Sequence, residues 1–303
     1  MQIMFNQLML LLLFIGAGFL LGRMKIADSR ETRLLSCLEV YVFLPANVFR
    51  TFSANFTPAY LSEKYSFVLV SLVLLTLLYL GSRPLAKWLT PDAYRQKVLR
   101  YTFAIANYGY IGYALTDGVF GELALLNVMV FALPLSLFTP TIGFCLLTNS
   151  PVSLKKLVNA QSMALVAGAL VGLTGLALPE TVNIFMEKAA DCMAPVSMLL
   201  TGLVLSEYRL RDLVKGRLVY FVTALRLLVI PGLIGLLLKL LSLEEMILPA
   251  LMITAMPCGL NTIVYPRLVG EDCRLGATMV FVSTLLCCVT IPLCLSLFGL
   301  HVS

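Results

Sequence analysis

Apolar residues occur in this chain as long blocks rather than as stripes. Ten blocks cover residues 5–22, 33–52, 65–82, 98–116, 122–147, 158–178, 184–206, 218–238, 247–266 and 275–299. Each is close to the ~20 residues that carry a helix across a bilayer. Short polar connections separate them, so the pattern predicts an all-α membrane protein of about ten transmembrane helices. Residues 1–6 contain no Lys or Arg, unlike the basic leader of a cleaved signal peptide, and the first block is expected to be a retained span.

Basic residues orient the spans. Taking alternate connections, 17 Lys and Arg fall on one side and 4 on the other. The rich loops hold, among others, Arg23, Lys25, Arg83, Arg95, Lys155, Arg209 and Arg274. The positive-inside rule places these loops in the cytoplasm and both termini on the opposite side of a cell (inner) membrane. Trp88 and Tyr94, which flank the third and fourth spans, suit the headgroup level.

Sliding the chain against itself by 150 positions superposes Gly18 on Gly168, Gly22 on Gly172, Pro45 on Pro195 and Gly109 on Gly259, without a gap. The same offset lays spans one to five over spans six to ten. Residues 1–150 are therefore expected to form one five-helix repeat and residues 151–303 a second. An odd number of spans per half makes the second repeat inverted, an arrangement found in secondary transporters. Two similar halves of opposite orientation can exchange conformations and open one central site to each side in turn.

Two spans carry helix breakers near their middles. The fourth contains Ala106-Asn107-Tyr108-Gly109-Tyr110-Ile111-Gly112, and the ninth contains Met256-Pro257-Cys258-Gly259-Leu260-Asn261-Thr262. A proline inside a helix costs ~3 kcal/mol and a glycine about 1 kcal/mol relative to alanine. Irregular backbone at membrane depth persists only when buried in protein or lining a wet cavity. Single kinks would explain either break, but matched breaks in both halves, each with an amide side chain, favour a binding site. Asn107 and Asn261 each offer donors and an acceptor. Half-helix ends supply partial charges of both signs, so the dipoles leave the sign of the ligand open.

Composition sharpens the picture. The chain of 303 residues is 60% hydrophobic and only 13% charged, with a mean hydropathy of +0.94, which leaves no room for a separate soluble domain. Its eight cysteines lack CxxC spacing and mostly lie in apolar blocks, as small hydrophobes do. The sole histidine, His301, gives no basis for a metal site or histidine-dependent catalysis. No GxxxxGK[ST] loop is present, and no cofactor or nucleic-acid partner is expected. The net charge of +6 follows from loop placement.

Charged residues away from the ends of the spans include Glu39 in the second, Asp191 in the seventh and Arg226 in the eighth. Charges at depth usually face the bundle interior. Glu39 and Asp191 are thus candidates for coupling to a proton or sodium ion, or else structural partners of Arg226. Glu187 and Lys188 are expected at the interface, and Pro45 and Pro195 as kinks.

Three segments carry a family likeness: Tyr41-Val42-Phe43-Leu44-Pro45-Ala46, Asn107-Tyr108-Gly109-Tyr110-Ile111-Gly112, and Ala255-Met256-Pro257-Cys258-Gly259-Leu260-Asn261 followed by Gly270-Glu271-Asp272. In this joint order they resemble the bacterial branch of the auxin efflux carrier family. The resemblance implies a fold similar to bile acid symporters and sodium/proton antiporters, in which the fourth and ninth spans cross at the substrate site. It implies a substrate site at Asn107, Gly109, Gly112, Pro257, Gly259 and Asn261, and small organic anions as substrates, including auxin-like acids and dicarboxylates. Spans one, two, six and seven would form a scaffold that dimerises, with the remaining spans as the moving unit. Ala114 stands where many relatives have proline, and Glu39 is an unusual acid in a stretch that is normally apolar.

The leading expectation is therefore a secondary transporter of a small organic anion. An intramembrane enzyme acting on a lipid or isoprenoid is the main alternative, but no DDxxD, HxxxH or Ser/Lys dyad accompanies it. A membrane sensor with a transporter-like body is the third, and no soluble segment adjoins the spans to relay a signal.

Overall fold

The computed structural model describes residues 2–27 and 29–300, so His301 lies outside the described residues. Every regular element among them is helical. In chain order these are α1 (Gln2–Arg23), α2 (29–55), α3 (Pro58–Leu89), α4 (Ala93–Ala104), α5 (108–120), α6 (Glu122–Phe131), α7 (Leu133–Thr148), α8 (Ala160–Thr174), α9 (Glu180–Ser206), α10 (Arg217–Leu240), α11 (Ile247–Thr254), α12 (Asn261–Leu268) and α13 (Arg274–Leu297). Short helical turns at Leu154–Leu157, Leu210–Leu213 and Glu244–Met246 occupy the connections.

Six of these helices are long and apolar enough to cross a membrane, and α6 with α7, bent by 54°, passes the same test only as a pair, giving up to seven crossings. The sequence pattern reads residues 122–147 as one straight span. The bend at Ala132 is imposed where Pro134 enters the first turn of α7 and cannot donate back to the preceding helix. The remaining apolar blocks are shorter: α8 has 15 residues, while the blocks at 98–116 and 247–266 are each divided in two. Large apolar side chains such as Leu13, Leu69, Leu80, Leu233 and Val289 point outward. In water that surface would aggregate; in a bilayer it meets lipid. The chain is a multi-pass membrane protein.

Among the described residues, π-helical turns interrupt α2 at Glu39–Phe43, α7 at Thr139–Gly143 and α10 at Leu225–Val229, and a fourth opens α5 at Tyr108–Gly112. Each re-aims the side chains beyond it, and such turns gather at functional positions. Pro45 follows the first of them, and Pro195 lies inside α9.

Glycines decide how closely two helix pairs approach. A Cβ on Gly18 of α1 would run into the Leu199 carbonyl of α9, and one on Gly202 of α9 into the backbone of Ile15 and Phe19. The other pair is α8 with α2: a Cβ on Gly168 would meet the Phe49 backbone, and one on Gly172 the carbonyls of Phe52 and Phe56. Without a hydrophobic force between helices in lipid, such close backbone contact is what holds them together. The glycines that coincide at an offset of 150 thus occupy comparable contacts, Gly18 on α9 and Gly168 on α2.

Candidate functional site

The two interrupted blocks meet. α4 ends at Ala104, the chain turns extended through Ile105 (φ −130°, ψ 128°), and α5 starts at Tyr108. α11 ends at Thr254 and α12 starts at Asn261. Between these ends the strands run antiparallel, with Ala106 bridged to Cys258. The Asn107 N–H donates to the Pro257 carbonyl at 2.8 Å, and the Cys258 N–H donates to Ser283 Oγ of α13 at 2.9 Å. Backbone groups that leave a helix in an apolar medium must find partners. Here each break supplies them to the other, and Pro257, with no N–H of its own, removes one demand.

A cavity of about 290 Å³ opens on one side of this crossing. Asn107, Tyr108, Gly109 and Tyr110 form one wall, and Gly259, Leu260 and Asn261 form another. Ser136, Thr139 and Tyr265 add hydroxyl groups, while Val40, Leu44 and Leu200 add an apolar face; no charged side chain lines it. Asn261 Nδ2 donates to the Tyr101 hydroxyl at 3.1 Å, which fixes the amide orientation from behind the wall. Asn107 is buried, and its Nδ2 has no hydrogen-bond partner among the described residues. A buried amide donor left unpaired costs roughly 1–3 kcal/mol.

The amino ends of α5 and α12 lie at this cavity, and their first N–H groups carry partial positive charge. The carboxyl ends of α4 and α11 lie on the other side. There Arg226 of α10, only 1% exposed, donates from Nη1 to the Thr254 carbonyl at 2.7 Å. One negative end, that of α11, thus already holds a cation, while the amino ends of α5 and α12 border the cavity.

Not every residue expected at the site reaches it. Asn107, Gly109, Gly259 and Asn261 line the cavity, and Pro257 holds the crossing through its carbonyl. Gly112 sits one turn away, where a Cβ would press on the Met252 carbonyl and Met256, so it is a packing position between α5 and α11. Glu39 is fully buried beside the wall that Ser36, Val40 and Leu44 present, and neither carboxyl oxygen has a hydrogen-bond partner among the described residues.

Asp191 is elsewhere. Its half-exposed carboxylate lies 3.8 Å from Arg50 Nη1 and 3.9 Å from Lys188 Nζ, against a different cavity of about 610 Å³. Arg50 also reaches Glu122 (3.4 Å) and Asp117 (3.7 Å), so one guanidinium ties α2 to α5, α6 and α9. Neither acid is the partner of Arg226. An α-helical count of α9 places Asp191 within an apolar block, but the end of that block is wet.

Tyr101, Ser136, Thr139 and Tyr265 join the site without any motif to announce them. They come from the flanks of the fourth and ninth blocks and from the fifth, and only the crossing assembles them.

A helical bundle exposing apolar side chains outward, with broken helices crossing beside a cavity of mixed polar and apolar lining, defines a multi-pass membrane protein with an internal crossing. The sequence profile of the membrane transport protein family, of the auxin efflux carrier type, matches residues 3–153 and 144–295, and the chain belongs to that family. It is a membrane transporter, not an enzyme. A search among curated proteins returns no match.

Proposed function

We propose that this protein is a secondary transporter that moves a small organic anion, a carboxylate or auxin-like acid, by alternating access through the crossing of 105–107 with 255–260. The observation that carries the reading is the cavity at the amino ends of α5 and α12, where the unpaired Asn107 amide and the held Asn261 amide converge without any charged side chain. Neutral donors and helix dipoles stabilise a carboxylate without holding it so tightly that release fails.

In this reading the chain makes ten crossings as two inverted five-helix repeats, 1–150 and 151–303. Reciprocal glycine contacts support it: the first helix of each repeat packs on the second helix of the other, α1 on α9 and α8 on α2. These four helices form the scaffold, which joins a second copy as a homodimer, and the rest moves against it. In this reading the cavity mouth faces the cytoplasm of an inner-membrane protein with both termini outside, which is supported by Ser36, Asn159 and Gln161 at the mouth lying close in sequence to basic connections. The Arg50 cluster lies at the opposite end of α2 and closes the outer path. Glu39 is the candidate proton carrier, and Asp191 belongs to the outer cluster rather than to coupling.

The test is flux in proteoliposomes across a panel of mono- and dicarboxylates. Saturable uptake of at least one, lost in Asn107→Ala and in Asn261→Ala while both variants remain folded, is expected. Equal flux in the variants and the wild type would refute the site.

A further inference from the structure

Among the described residues Arg226 is the largest fully buried side chain, and no carboxylate pairs with it. A guanidinium at membrane depth without a counter-ion is costly. What faces it is backbone. Nη1 donates to the carbonyl of Thr254, the last residue of α11, and a small pocket of about 10 Å³ is lined by Arg226, by Thr254 and by Ala104, the last residue of α4, while Nε has no partner among the described residues. The carboxyl end of a helix carries roughly half a negative charge. Two such ends therefore amount to about one charge, which one guanidinium balances. The π turn at Leu225–Val229 aims the side chain at this point.

Carbonyl ends of broken helices are where transporters hold alkali cations. We infer that Arg226 is a resident cation that permanently occupies the monovalent-cation position of this crossing, so that the anion site works without bound sodium. The inference rests on the crossing being the transport site, as proposed above. It adds that the two faces of the crossing have divided roles: the carbonyl face is closed by Arg226, and only the amide face exchanges solute. Sodium coupling is then excluded by occupancy, whereas a proton on Glu39 remains compatible with it. Because the guanidinium is fixed to α10, it travels with the moving unit instead of being released on one side.

Thermal unfolding of the full-length protein in mild detergent tests this without a substrate. The wild-type midpoint is expected to be the same in sodium chloride and in choline chloride. Arg226→Ala leaves the Thr254 carbonyl without its side-chain donor and the pocket beside Ala104 without a cation. Its midpoint is expected to fall, and to rise again, by about 5 °C at a hundredfold excess over Kd, with sodium or with low millimolar guanidinium but not with choline. Arg226→Lys, which keeps a charge there, is expected to be as indifferent to sodium as the wild type, and it carries the test together with the wild type if Arg226→Ala does not fold. A sodium-dependent midpoint in the wild type or in Arg226→Lys, or a folded Arg226→Ala that no small cation restores, would overturn the inference. Carboxylate flux in the asparagine variants is a separate measurement, so failure of the transport reading and failure of the resident cation are told apart.

Discussion

Replacing Asn261 and Tyr101, singly and together, separates what holds the crossing from what touches the solute. Tyr101 is fully buried, and Asn261 Nδ2 donates to its hydroxyl at 3.1 Å. Removing one member strands the other. Asn261→Ala leaves a buried hydroxyl unpaired and is expected to cost about 1–3 kcal/mol. Tyr101→Phe removes the acceptor and leaves an amide that can turn toward the cavity, so about 1 kcal/mol is expected. In the double variant neither partner is left wanting, and the combined loss should fall short of the sum by about 1 kcal/mol. Unfolding in mixed micelles by titration with sodium dodecyl sulfate supplies the free energies. Flux supplies the second axis: Asn261 lines the cavity and Tyr101 does not, so Asn261→Ala should abolish transport. Tyr101→Phe should weaken it on the order of fivefold, mainly through KM, at the rate of tenfold per 1.4 kcal/mol. Strict additivity of the two stability losses, or a larger flux loss from Tyr101→Phe than from Asn261→Ala, would refute this account of the wall.

Two further predictions concern packing and protonation. Gly18→Leu, whose Cβ would collide with the Leu199 carbonyl, should destabilise by at least about 1–3 kcal/mol, because backbone cannot move aside as a side chain does. Gly16→Ala on the same helix has nothing within 4 Å of its Cβ and should gain up to about 1 kcal/mol, so equal effects of the two in the same titration would argue against the α1 and α9 contact. Glu39→Gln keeps the shape of a fully buried carboxyl without an ion partner, and if that carboxyl rests neutral its stability should stay within about 0.5 kcal/mol of the wild type. In liposomes, flux driven by a pH gradient should vanish in this variant while exchange of substrate for substrate persists; undiminished pH-driven flux would remove Glu39 from coupling.

The positions of the apolar blocks and the two central breaks were legible in sequence because both follow from local chemistry. A bilayer demands runs of about 20 apolar residues, and Gly109, Pro257 and Gly259 are poor helix formers whatever surrounds them. The glycine pairs Gly18 with Gly168 and Gly22 with Gly172 could likewise be read from their common offset. The bend at Ala132 was less visible, since one proline in a long apolar run is compatible with a straight helix.

Other features depend on which groups the fold brings within a few ångströms. Depth along a helix does not say whether a charge is wet, so Asp191 reads like Glu39 in the sequence. In three dimensions one meets Arg50 in an open cavity and the other is sealed without a partner. Gly112 and Gly109 share a motif, yet one packs against Met252 and the other faces the solute cavity. The sign of the site is the clearest case. Two broken helices contribute equal and opposite ends, and no sequence rule prefers either. Only the fold shows that Arg226, from a different span, reaches the Thr254 carbonyl while the amide ends of α5 and α12 border the cavity, which is the arrangement the proposed anion site rests on.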